Sequence, residues 1–120
     1  MSGRLTTHVL DTAHGLPARD LEITLWAIGV DGKERRRLRT VRTNQDGRVD
    51  GPLLADDEFV SGEYELIFAV GAYFARLDDT LPSPSFLGEV PVRFGVADPA
   101  CHYHVPLLVS PWSYSTYRGS

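Results

Sequence analysis

Apolar and polar residues alternate with a period of two over several short stretches of this chain, the pattern of strands that bury one face in a sheet. In the first stretch Thr6, His8 and Leu10 fall on one face, and Thr7, Val9 and Asp11 on the other. Leu21, Ile23, Leu25 and Ala27 alternate with Glu22, Thr24, Trp26 and Ile28, so Leu21 to Val30 reads as a strand with both faces partly covered. Asp31-Gly32 predicts a turn, Arg36 to Thr43 alternates again, and Asp46-Gly47 predicts a second turn. Tyr64 to Val70 is an aromatic and branched run bounded by Ser61-Gly62 and Gly71; Val90 to Phe94, Tyr103 to Val109 and Trp112 to Tyr117 complete the strand set. One segment departs from this rhythm. Tyr73, Phe74 and Leu77 share a helical face, which predicts one short helix near 72–78, ahead of the loop-forming Leu81-Pro82-Ser83-Pro84. The fold class that follows is all-β: a sandwich of two packed antiparallel sheets with about eight strands.

Composition changes this picture only at its margins. The 120 residues fit one domain, 1–120, large enough to bury roughly 65 to 70% of its unfolded surface without a metal or disulfide staple. The single cysteine, Cys101, has no partner for an internal bridge. The chain shows neither a charged-then-apolar signal segment at its start nor a run approaching the ~18 apolar residues of a membrane span, so a reduced, soluble, cytoplasmic protein is expected. With 12 Lys+Arg against 16 Asp+Glu the formal charge is -4, which argues against a general affinity for nucleic acid or anionic membranes but excludes no small anionic substrate. The basic run Lys33-Glu34-Arg35-Arg36-Arg37-Leu38-Arg39 reads as a strand edge protected against aggregation rather than as a phosphate-binding patch.

Candidate chemistry gathers near the two ends of the chain. The last twenty residues carry His102-Tyr103-His104 through an apolar stretch to Tyr117-Arg118-Gly119-Ser120, which suggests a docked, functional tail. His102 and His104 are two apart and so share a strand face. That spacing could supply two metal ligands, yet no His-Glu-X-X-His motif, paired cysteine or carboxylate cluster accompanies them, and a catalytic zinc site usually needs a third ligand. His104, flanked by Val105, Leu107 and Leu108, is the stronger of the two for acid-base work. His8 lies on a strand, whereas His14, beside Gly15, belongs to a turn. Arg48 follows the Asp46-Gly47 turn, and its permanently charged fork suits an oxyanion or the carbonyl and amide edge of a planar heterocycle. Ser120 lacks a nucleophile-elbow pattern, so its hydroxyl fits the positioning of a ligand or a water better than attack.

Three blocks of residues bear on identity. They are Leu5-Thr6-Thr7-His8-Val9-Leu10-Asp11-Thr12 with Gly15 and Pro17-Ala18; Thr43-Asn44-Gln45-Asp46-Gly47-Arg48; and His102-Tyr103-His104-Val105-Pro106-Leu107-Leu108 with Ser110-Pro111 and Tyr114 to Ser120. In these blocks the chain resembles the hydroxyisourate hydrolases, the transthyretin-related enzymes of purine breakdown, along essentially its whole length. The Tyr-Arg-Gly-Ser ending separates it from the hormone-carrying transthyretins. The resemblance implies a transthyretin-like sandwich that hydrolyses 5-hydroxyisourate to 2-oxo-4-hydroxy-4-carboxy-5-ureidoimidazoline, with no cofactor and no metal. It carries the catalytic positions onto His8, Arg48, His104 and Ser120, and substrate contacts onto His8, Arg48, Tyr117, Arg118 and Gly119. It also implies a homotetramer, a dimer of dimers whose sites lie in a channel where subunits meet. Whether His104 or His8 is the base stays open at this point, and a non-catalytic carrier, a metal-dependent hydrolase and a plain interaction module remain the competing readings.

Overall fold

The computed structural model describes residues 3–119. Along them run nine strands, β1 (Arg4–Asp11), β2 (Leu16–Pro17), β3 (Glu22–Ile28), β4 (Arg35–Arg42), β5 (Leu54–Ala55), β6 (Gly62–Phe68), β7 (Val90–Val96), β8 (Tyr103–Val109) and β9 (Tyr114–Thr116), with one helix, α1 (Val70–Leu77), and a 3-10 turn at Asp56–Glu58. One sheet has the order β2-β1-β8-β9, with β5 also paired to β1, and the other the order β4-β3-β6-β7. Leu5, Val9, Leu107 and Val109 from the first sheet meet Ile23, Leu25, Leu66, Phe68 and Val90 from the second in a common core. These are the inward positions of the period-two pattern, so the alternation that marks the strands also builds the sandwich.

Every strand expected from the alternation forms. The ladders are antiparallel except one: β1 and β8 run parallel, with Thr6 opposite His104 and His8 opposite Pro106. Alternation settles which residues share a face but not the direction of the neighbour, and a parallel pair needs a long crossover. Here the crossover is the entire second sheet. The two-residue strands β2 and β5 are too short for a periodic signal; both pair with β1, at Leu10 and Asp11 and at Arg4 and Leu5 respectively. The helix predicted near 72–78 begins at Val70 and buries Tyr73 and Phe74, while Leu77 in its last turn stays exposed.

The basic strand β4 lies at an edge of its sheet. Arg35 stacks over the Trp26 ring at 4.0 Å and Arg42 pairs with Asp20 and Glu22, as expected of charges that solvate an edge. One buried carboxylate stands out. Asp11, only 1% exposed, accepts hydrogen bonds from the His14 backbone N–H (3.0 Å), His14 Nδ1–H (2.7 Å) and Tyr73 O–H (2.9 Å). These bonds tie the turn after β1 to α1 and satisfy a charge that would otherwise be costly to bury.

Candidate active site

The parallel ladder places β1 and β8 side by side, and their outward faces carry the candidate groups. Thr6 and His8 point outward from β1 while their neighbours Leu5, Thr7 and Val9 are buried. His104 lies opposite Thr6 in the same sheet, so its ring stands beside both Thr6 and His8 on that face.

Arg48 reaches this face from the other edge of β1. His8 and Arg48 form an isolated antiparallel bridge, and Val9 N–H donates to Gly47 O at 2.8 Å. The tight turn that makes this possible is held by Asn44. Its Oδ1 accepts from Asp46 N–H (2.9 Å) and Arg48 N–H (3.1 Å), and its backbone N–H donates to Arg48 O at 2.7 Å, an asparagine closing a turn on its own backbone. Gly47 has a φ of +75°, and a Cβ there would collide with Val9 O, so the Asp-Gly of the sequence is a packing requirement as well as a turn signal. The Arg48 guanidinium makes no hydrogen bond to a described residue.

The C-terminal tail closes the opposite side. After β9 it returns along β8, where Gly119 N–H donates to His104 O at 2.7 Å in a second isolated bridge. Gly119 touches the His104 ring so closely that a Cβ at this position would stand 2.7 Å from His104 Cδ2. Arg118 turns back onto Tyr103, its guanidinium carbon 4.0 Å from the ring centre, and donates from Nη2 to His102 O at 3.4 Å. Tyr117 is exposed and, with Arg118, Tyr103 and Phe94, lines a groove of about 230 Å³ at the edge of the sandwich. The structure therefore brings His8, Arg48, His104 and Gly119 together, and sets Arg118 against Tyr103 and His102 with Tyr117 on the adjoining groove. Ser120 lies outside the described residues.

Electrostatics favours neutral imidazoles here. His104 is held below the ordinary histidine pKa, first by partial burial and then by the positive charge of Arg48 and the neighbouring His102 and His8. His8 is lowered by partial burial and by Arg48, against an opposing pull from the carbonyl and carboxylate of Asp46. Both rings are thus ready to accept a proton at neutral pH. They are not equivalent. His8 Nε2 lies 2.9 Å from Asp46 O, and a carbonyl only accepts, so that nitrogen carries a hydrogen. His104 instead directs Nδ1 to the Thr6 hydroxyl at 2.8 Å, and its Nε2 has no hydrogen-bond partner among the described residues.

His8 and His104 are each half-buried on this face. A cavity of about 780 Å³ lies elsewhere, between the turn after β1 and α1, and is lined by Asp11, His14, Arg19, Tyr73 and Arg76. Among the described residues no group of three or more His, Cys, Asp or Glu side chains is placed to hold a metal ion. A positive fork, two neutral imidazoles and a close-packed tail on one sheet face can polarise a carbonyl and activate a water.

Comparison with known proteins decides the family. The HIUase/transthyretin family profile matches residues 5–119. The protein named 5-hydroxyisourate hydrolase 2 of Rhizobium meliloti is 59% identical over 119 residues, covering 99% of this chain and 98% of that protein. The chain belongs to the HIUase/transthyretin family. Among solved structures of similar fold, the crystal structure of (S)-allantoin synthase aligns with a TM-score of 0.92 and 46% identity, over 99% of this chain and 44% of that longer one. Sea bream transthyretin in complex with thyroxine aligns with a TM-score of 0.84 and 28% identity, over 97% and 94% of the two chains. Relatives on this sandwich thus include one solved with thyroxine and one named 5-hydroxyisourate hydrolase, so the fold alone does not separate them.

Two features, one in this site and one outside it, were not legible in the sequence. Thr6 looked like an ordinary strand threonine, and only the parallel register sets it against two histidines. His14, read as a turn residue, is exposed as expected but is anchored by the buried Asp11; the signal available was an aspartate at an inward strand position, three residues earlier.

Proposed function

We propose that this protein hydrolyses 5-hydroxyisourate to 2-oxo-4-hydroxy-4-carboxy-5-ureidoimidazoline, a ring-opening step of purine breakdown, without a metal or cofactor. The observation that carries the reading is the convergence of His8, Arg48 and His104 on one sheet face, in a chain of 59% identity to a hydrolase of that name. His104 is the base in this reading. Its Nε2 is open toward the face, whereas the Nε2–H of His8 is committed to Asp46 O. His104 takes a proton from water as the oxygen attacks the ring carbonyl, and Arg48 donates to the oxyanion that develops. The tetrahedral intermediate then collapses with cleavage of the ring C–N bond, and the proton on His104 passes to the leaving nitrogen. His8, fixed by the Asp46-Gly47 turn, orients the substrate beside Arg48. Ser120 follows Gly119 in the chain and is assigned the orientation of the water or the ring; Tyr117, Arg118 and Gly119 shape the substrate side of the tail.

A half-buried face does not exclude water, and ring hydrolysis gains from a dry, enclosed site. A homotetramer, a dimer of dimers that faces these surfaces into a channel, supplies that enclosure. A cytoplasmic location belongs to the same reading, and the exposed free thiol of Cys101 suits a reducing compartment. The test is the ultraviolet decay of 5-hydroxyisourate formed in situ from urate, with and without the protein. Acceleration in proportion to protein concentration is the expected result; saturable binding of the substrate with unchanged decay would turn the reading to a carrier.

A further inference from the structure

A base that works through one ring nitrogen needs its other nitrogen held. Thr6 Oγ1 lies 2.8 Å from His104 Nδ1 and 2.9 Å from His102 Nε2. A threonine hydroxyl has a single proton to donate and lone pairs with which to accept. When it donates to one ring it is free to accept from the other, so the two imidazoles take opposite parts across it. If Thr6 donates to His104 Nδ1, the hydrogen of neutral His104 sits on Nε2 and the ring is no base toward the open face. If Thr6 donates to His102 Nε2 and accepts from His104 Nδ1–H, the lone pair of His104 is on Nε2.

We propose that Thr6 and His102 act together as the positioning pair of His104, with the Thr6 hydroxyl donating to His102 Nε2 and accepting from His104 Nδ1–H. The inference rests on the hydrolase reading: geometry sets Thr6 between the two rings and gives them opposite parts, and the need for a lone pair on His104 Nε2 selects which ring accepts. The arrangement does for His104 what a buried carboxylate does for the histidine of a serine protease triad: it fixes the ring, selects the tautomer and receives the Nδ1–H when the imidazolium forms. Donation from Thr6 to His102 polarises the hydroxyl and makes its oxygen a better acceptor. A hydroxyl rather than a carboxylate also leaves no negative charge beside the ring, consistent with His104 staying below the ordinary histidine pKa. The backbone makes the pair rigid. Thr6 and His104 are directly opposed in the parallel ladder, and Thr7 O–H donates to Val105 O at 2.7 Å on the buried face just behind them.

The test combines two variants with a spectroscopic readout. Thr6→Val keeps the shape and removes the hydroxyl; Thr6→Ser keeps the hydroxyl. Thr6→Val is expected to lower kcat on the order of ten- to a hundredfold with KM little changed, and Thr6→Ser to recover most of it. Long-range 1H–15N correlation spectra of the wild-type protein at mildly alkaline pH should show His104 protonated at Nδ1 and His102 unprotonated at Nε2, and Thr6→Val should lose that pattern. Wild-type His104 protonated at Nε2, or a folded Thr6→Val enzyme with full kcat, would overturn the proposal. Absence of any wild-type turnover would instead overturn the hydrolase reading, and the spectra would still decide the tautomer.

Discussion

Replacing Gly119 by alanine adds one methyl group to the tail and tests how finely the tail positions the base. The new Cβ would meet His104 at 2.7 Å (Cδ2), 3.2 Å (Cβ) and 3.3 Å (Cγ), against 3.4 Å or more for ordinary contact. Relief therefore demands a displacement of about 0.7 Å between tail and ring. The ring cannot yield freely, because its Nδ1 is bonded to Thr6 at 2.8 Å, and the tail cannot retreat without loss of the 2.7 Å bond from Gly119 N–H to His104 O. A misplacement of about 1 Å costs up to about 100-fold in rate, so Gly119→Ala should lower kcat roughly ten- to fiftyfold. Stability should hardly move. Gly119 does not lie at a positive φ, and the site is near the end of an exposed tail, so the change should stay within about 0.5 kcal/mol. Steady-state kinetics on 5-hydroxyisourate beside thermal unfolding separates the two quantities. A Gly119→Ala protein with wild-type kcat would refute the claim that the tail fixes His104, and a large loss of stability would show that the tail is structural instead.

Three other outcomes are expected. Activity needs His104 neutral; burial and the charges of Arg48, His102 and His8 lower its pKa, so kcat/KM should stay flat as pH falls past the ordinary histidine value of about 6.5 and decline only below it, with added salt moving the midpoint up as Arg48 is screened. The pH profile checks this, and a midpoint above the ordinary value would contradict it. Arg48→Lys keeps a charge but loses the fork, and should lower kcat and kcat/KM together by about 100- to 1,000-fold if Arg48 acts on the oxyanion; a change confined to KM would refute that role. Tyr73→Phe removes one of the donors to buried Asp11 and should cost about 1–3 kcal/mol in chemical denaturation while leaving kcat near wild type.

How far the sequence reveals this protein depends on the range of each interaction. Strand faces were legible because the side-chain period is local: Thr6, His8 and Leu10 do share a face, and Thr7, Val9 and Asp11 the other. The short helix was legible for the same reason, with its start displaced to Val70. The parallel direction of β1 and β8 was not, since it is set by how the chain crosses between sheets. That one feature places His104 beside Thr6 and makes the site. Arg48 could be named from its turn and its family block, but its approach to His8 depends on Asn44 closing that turn and Gly47 lying against Val9. Arg118 is informative in the other direction. Its place in the terminal motif implies a substrate contact; in the structure its guanidinium lies over Tyr103 and donates to His102 O, contacts no spacing rule could foresee. A cavity of about 780 Å³ also lies away from the site, so cavity volume in one copy of the chain does not mark where the candidate groups converge.

The most direct measurement is the decay of 5-hydroxyisourate in the presence of a chelator, followed for the wild-type protein, His104→Ala and Arg48→Ala at equal concentrations. The account predicts accelerated decay with the wild type, undiminished by the chelator, and decay near the spontaneous rate with either folded variant. Wild-type acceleration that persists in both variants would place the chemistry elsewhere on the molecule, and loss of the rate on chelation would contradict a hydrolysis carried by histidine and arginine alone.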